Sequence, residues 1–151
     1  MYKNILVALD NGPCMSAVSK CGIKNAMAHQ AKLILCHVKR NKVVYNSLHP
    51  TGMLSSMPRV IQDHSYSMDK SFEKIKKEAL AAGVNEVEIV QTHSSAPGIA
   101  IADTIAPSYK VDLIICGRSD KSQLNRFLLG SVSSNIVNYA TCDVLLVRRK
   151  Q

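Results

Sequence analysis

The sequence contains no tryptophan, two phenylalanines and five tyrosines in 151 residues, so aromatic side chains make up only 5% of it. Aromatic platforms for stacking bases, interleaved with a basic block, are therefore missing, which argues against a nucleic-acid groove. No apolar run approaches the roughly 20 residues that a bilayer span needs. The first residues enter a strand pattern directly, with no leader of the secretory kind, so a cytoplasmic, non-membrane protein is expected. The five cysteines (Cys14, Cys21, Cys36, Cys116 and Cys142) are odd in number and lack C-x-x-C spacing. Free thiols in a reducing compartment are expected, with no disulfide framework and no zinc or other metal site. The signatures G-x-x-x-x-G-K-[ST] and H-E-x-x-H are both absent, which removes a P-loop and a zinc-protease helix. Ser131 and Ser133 have no evident histidine and carboxylate partners, so no catalytic residue is assigned and no enzyme is expected.

A chain of this length suits one domain, 1–151, with a real core, and 46% apolar residues describe an ordinary globule. The formal charge of +8 comes from dispersed positions: Lys20 and Lys24, Lys70 to Lys77, and Arg148 to Lys150. That scatter reads as a solvated basic surface and not as a footprint for nucleic acid. His49 and His64 have no acidic or thiol partner at ligand spacing and read as surface residues.

Taken in order, Ile5 to Leu9 is a short unbroken apolar run closed by the turn signal Asp10-Asn11-Gly12-Pro13. Such runs suit strands buried on both faces. Val18, Cys21, Ile23, Ala26 and Met27 recur at helical spacing between Met15 and Gln30, and Ala31 to Val38 is a second buried strand. Lys39 to about Pro58 reads as a long excursion. Val60 to Ala82 reads as an amphipathic helix through Ile61, Met68, Phe72, Ile75 and Leu80, stopped at Gly83. Val84 to Gln91 alternates like an edge strand. Ser94 and Pro97 open a helix with Ile99, Ile101, Ala102, Ile105 and Ala106 on its buried face. Leu113 to Cys116 is a strand, Ser131 to about Tyr139 a helix, and Val144 to Val147 a last strand. The string βαβαβαβαβ predicts an α/β protein, a three-layer sandwich around a five-stranded, mainly parallel sheet.

The chain is organised around Val111 to Ser134. A buried strand breaks at Gly117, a basic loop carries Arg118, Lys121 and Arg126, and a serine-rich helix begins at Gly130-Ser131. Amides at a helix start are unpaired and carry partial positive charge, so the parts of an anion cradle are present. The bland alternative is a strand-to-helix connection that happens to hold two glycines.

These residues resemble the universal stress protein family (UspA-like), whose hallmark is Gly, two residues, Gly, nine residues, then Gly-Ser or Gly-Thr. Gly117 and Gly130-Ser131 stand at the intact spacing, with Asp120 in place of the middle glycine. Asn4 to Asp10 and Ala140 to Arg148 also look like the family's first and last strands, with Asp143 where a proline is usual. The resemblance implies a strand order of 3-2-1-4-5, an adenine nucleotide alpha hydrolase-like fold. It implies ATP, with or without Mg2+, between the ends of the first two strands: Leu9, Asp10 and Val38 at the nucleoside, Gly117 and Arg118 along the nucleotide. Gly130, Ser131, Val132 and Ser133 would then offer donors to the phosphates. Asp10 reads equally well as a turn residue capping the next helix. Asp120 is the objection, since two like charges ~4 Å apart cost about 4 kcal/mol at an effective dielectric of ~20.

Two readings follow: a nucleotide-binding stress or regulatory module, and an interaction protein of the same fold without a nucleotide. The resemblance places Val144 to Val147 at the sheet edge, where a bare apolar strand invites a homodimer.

Overall fold

In the computed structural model the described residues are 1–44, 59–61, 68–118 and 130–148, with backbone alone for 42–44 and 59–61. The chain runs β1 (Asn4–Ala8), α1 (Met15–His29), β2 (Lys32–Arg40), β3 (Lys42–Val44), β4 (Arg59–Ile61), α2 (Asp69–Ala81), β5 (Val87–Ser94) and α3 (Pro97–Ile99). A π-helical stretch (Ala100–Ile105), α4 (Ala106–Ser108), β6 (Leu113–Gly117), α5 (Ser131–Tyr139) and β7 (Asp143–Val147) complete it.

Unbroken apolar runs can only be satisfied by cover on both faces, and the sheet supplies it. Its order is β5-β2-β1-β6-β7, every neighbour parallel. Counted along these five strands, that is the expected 3-2-1-4-5. Ile5, Val7, Leu33, Leu35 and Ile115 face α1 and α2 with Val18, Phe72 and Ile75. Leu6, Ile34, Cys36, Ile114 and Cys116 face the π-helical stretch and α5 with Ile101, Ile105 and Ile136. Ile5, Leu6, Val7, Leu35 and Ile114 are all 0% exposed, and each such side chain contributes about 2 kcal/mol of burial. Gly22 brings α1 against the sheet, because a Cβ there would run into Val7 Cγ2.

Several expected elements differ. The long helix begins at Asp69, not Val60. Residues 59–61, Ile61 among them, form β4, antiparallel to β3 with Lys42 opposite Ile61. The expected excursion from Lys39 is partly strand, since β2 continues to Arg40 and β3 follows; 45–58 lie outside the described residues. On α2 the buried position is Ala79, and Leu80 is 46% exposed. Apolar period places both near the seam, and the shorter side chain is the one that fits against the sheet. Met27 is likewise outside, at 45% exposure, and the α1 face that packs is Val18, Ser19, Gly22 and Ala26. The α2 stop is as expected: Gly83 has φ +102°, in the left-handed region, and Val84 N–H returns to Ala79 O at 3.0 Å.

The helix from Pro97 is a composite. Ala106 N–H reaches Ile101 O, five residues back, the wider spacing of a π turn. Pro107 follows at once and has no N–H to return to the fourth residue before it. Its N-cap residue is Ala96 and not a serine. Ser94 acts just upstream, its Oγ accepting from Ala96 N–H at 3.1 Å.

Candidate functional site

Parallel strands with crossover helices all end on one side, so the loops after β1, β2 and β6 gather there. In open sheets of this kind ligands bind beyond the strand ends where the strand order reverses. The register fixes who is adjacent: Ala8 of β1 lies between Cys36 of β2 and Cys116 of β6. The next residues, Leu9 and Asp10, therefore emerge between Val38 on one side and Gly117-Arg118 on the other. Leu9 is 5% and Val38 8% exposed, so both present chiefly backbone at this end. Leu9 N–H donates to Cys36 O at 2.8 Å.

His37, which carried no signal in the sequence beyond its place in an apolar run, closes this end. Its Nδ1 lies 2.8 Å from Leu9 O. A carbonyl can only accept, so the proton is on Nδ1. The ring stands edge-on to Phe72, with centroids 6.4 Å apart.

Asp10 is exposed and its Oδ1 accepts from Gly12 N–H at 2.9 Å. That is a turn two residues long. It does not cap α1, whose N-cap residue is Cys14 with no side-chain cap. The expectation of a helix cap is thus replaced by an Asx turn.

The turn after β6 is held from two sides. Ser133 Oγ–H donates to Gly117 O at 2.7 Å, and Cys14 Sγ–H donates to Arg118 O at 3.3 Å. Arg118 N–H donates to Val147 O at 2.9 Å. Gly117 is a packing glycine: a Cβ on it would lie 3.0 Å from Cys14 Cβ and 3.2 Å from Val18 Cγ2.

Across the gap, α5 starts at Gly130, which has an extended backbone (φ −61°, ψ 155°) and no side chain to cap the helix. The first backbone bond of the helix is Ser134 N–H to Gly130 O at 2.9 Å. The amides of Ser131, Val132 and Ser133 precede it and have no carbonyl of their own helix to bond. Ser131 is exposed, and Ser133 is buried at 5%. The Ser133 hydroxyl proton is committed to Gly117 O, so its only other donor is the backbone N–H.

Tertiary folding thus gathers Leu9, Asp10, Val38, Gly117, Arg118, Gly130, Ser131, Val132 and Ser133 at one end of the sheet. Asp120, Lys121 and Arg126 lie outside the described residues, as do His49 and His64. Cys14 was missed; its signal was only its place one residue before a helical pattern. Burial pushes the Cys36 thiol up to about 12 and the Cys116 thiol up to about 11. Both are therefore neutral packing groups. Among the described residues no cluster of three or more His, Cys, Asp or Glu could hold a metal, and no helix is long and apolar enough to cross a membrane.

The sequence model of the universal stress protein family matches residues 1–148. A Staphylococcus haemolyticus protein named for that family is 31% identical over 150 residues, covering 99% of this chain and 87% of the relative. A Staphylococcus aureus counterpart is 29% identical, with 99% and 86% covered. Among solved structures, the universal stress protein UspA from Lactobacillus plantarum superposes with a TM-score of 0.75 at 21% identity, over 97% of this chain and 98% of that one. A universal stress protein in complex with cAMP gives 0.67 at 21% identity, with 97% of both chains covered. One from Archaeoglobus fulgidus in complex with dAMP gives 0.64 at 17% identity, with 96% and 97% covered.

Proposed function

The chain belongs to the universal stress protein family, and on that basis we propose that it is a stress-response or regulatory module that binds ATP at the strand ends. The observation that carries this reading is the junction of Ser133 and Gly117. That 2.7 Å bond brings the uncapped start of α5 to the end of β6, beside Asp10. Structural neighbours that hold cAMP and dAMP support an adenine nucleotide as the ligand class.

In this reading the adenosine lies between Leu9-Asp10 and Val38, with the Val38 backbone toward the base and the Asp10 carboxylate accepting from ribose hydroxyls. Gly117 and Arg118 run along the nucleotide. The amides of Ser131, Val132 and Ser133, with the Gly130 turn and the Ser131 hydroxyl, receive the phosphates. Charge-assisted amide-to-phosphate bonds are each worth about 1.5–3 kcal/mol, and the helix dipole adds to them. A Mg2+ ion would neutralise phosphate charge when bound. The residues described here bind and orient, and no catalytic role is assigned to any of them.

The protein acts in this reading through the shape of the loops around the nucleotide and through a homodimer. β7 ends the sheet order, Leu145 on it is 38% exposed, and a second copy would cover that edge.

Calorimetric titration of the purified chain with ATP and Mg2+ tests the reading. Saturable heat with a micromolar-to-millimolar dissociation constant, competed by AMP, is expected. No saturable heat over that range refutes it and leaves an interaction module of the same fold.

A further inference from the structure

α5 does not hold its own first turn in place. Val132 packs on the buried core of that face, and among the described residues two further contacts from other elements bear on the turn. One is the Ser133 hydroxyl on Gly117 O at 2.7 Å. The other is at Gly98, where the first turn of α3 lies against α5. Gly98 is buried, and a Cβ built on it would stand 2.5 Å from Val132 O, 2.7 Å from Asn135 Cβ and 3.1 Å from Val132 Cα. Its φ lies outside the left-handed range, so the backbone itself would accept alanine. The obstacle is contact alone.

The atom in the way decides the consequence. Val132 C=O and Ser133 N–H are the two ends of one rigid peptide plane. The carbonyl is backbone inside a helix, so it cannot swing aside as a side chain would. With α3 held in place by its own backbone bonds, relief comes from tilting that plane or sliding the first turn of α5. Either movement re-aims the Ser133 amide, and with it the amides of Ser131 and Val132. The Ser133 hydroxyl resists, because it is tied to the end of β6.

We propose that Gly98 is a positioning residue for the phosphate end of the site: its missing side chain lets α3 set the aim of the α5 amides, with the Ser133–Gly117 bond as the second tie. The claim rests on the nucleotide reading above for its effect on affinity. Its geometric part concerns the ligand-free protein.

The test compares the full-length wild type with Gly98→Ala, titrating each with ATP–Mg2+ and, separately, with adenosine. Adenosine reports the nucleoside end and has no phosphate to aim at. Gly98→Ala is expected to lose about tenfold in ATP affinity, one charge-assisted bond's worth, with adenosine affinity unchanged. Equal losses for both ligands, or no loss of ATP affinity, overturn the proposal. Amide proton and nitrogen resonances of Ser131 to Ser134 in ligand-free protein separate the two ideas. If the wild type takes up neither ligand, the nucleotide reading falls, and shifted resonances in Gly98→Ala still support the positioning role while unshifted ones overturn it. Should Gly98→Ala fail to fold, Ser133→Ala releases the second tie while keeping the backbone amide. It is expected to lose ATP affinity selectively and to regain it in Ser133→Thr. Retained ATP affinity in Ser133→Ala overturns the proposal by that route.

Discussion

Gly117 and Cys14 meet so closely that the position of a Cβ on Gly117 would be 3.0 Å from Cys14 Cβ. The same two segments are joined by the Cys14 thiol on the Arg118 carbonyl at 3.3 Å. The first glycine of the hallmark spacing is therefore accounted for by packing of α1 on the end of β6, before any ligand is considered.

Gly117→Ala should accordingly destabilise the fold by about 1–3 kcal/mol, as overpacked sites do. Val18 Cγ2 is the second atom in contact, at 3.2 Å. Combined with Val18→Ala, the loss should be smaller than the sum of the single losses. Urea unfolding of the four proteins measures this, and strict additivity would contradict the assigned contact.

The buried thiols make a prediction about pH. Cys36 is raised to about 12 and Cys116 to about 11, from an ordinary value of 9.0, by desolvation. Because the folded values are raised, this contribution is fully present below pH 9. It is lost as pH rises, since unfolded thiols ionise while the folded ones cannot. Each should remove about 1.4 kcal/mol per pH unit above 9 until its folded value is reached. Denaturant midpoints between pH 8 and 11 should fall, and Cys36→Ala should flatten the slope. Alkylation of native protein at pH 8 should spare Cys36 and Cys116 and reach the half-buried Cys21 and Cys142 first.

Leu145→Asp should convert a dimer to a monomer in light scattering at tens of micromolar. Leu145 is 38% exposed on the strand that ends the sheet order, so the substitution costs the isolated fold little. A charge there blunts edge-to-edge pairing. A wild type that scatters as a monomer would contradict the dimer directly.

Asp120→Gly restores the middle glycine of the family spacing and removes one negative charge from the sequence between Arg118 and Gly130. ATP affinity should rise by about tenfold or more, within the several kcal/mol that like charges cost at close range. The gain should shrink as salt is raised. An unchanged dissociation constant would mean that the carboxylate does not face the phosphates.

The two ends of the motif were legible because their chemistry is local. An apolar run, a glycine break and a Gly-Ser helix start can be read from neighbours in the chain, and α5 begins at Ser131 as the pattern predicts. The start of α2 was not legible. Ile61 fits a helical period from Val60, yet its partner is Lys42 on another strand, and periodicity does not see partners. Leu80 and Met27 were assigned inward for the same reason: on a wide apolar stripe, only the neighbouring sheet decides which residue fits.

Sequence alone determined the α/β class, the buried strands and the glycine–serine spacing, because these follow from solvation and backbone freedom of adjacent residues. The strand order came with the family resemblance and not from periodicity. Tertiary structure decided that Ser133 spends its hydroxyl on Gly117, that His37 closes the end of β1 through Leu9, and that Gly98 lies against the α5 backbone at Val132. Those are contacts across 16, 28 and 34 positions of chain. They exist only because parallel strands with their crossover helices bring distant segments of the chain together.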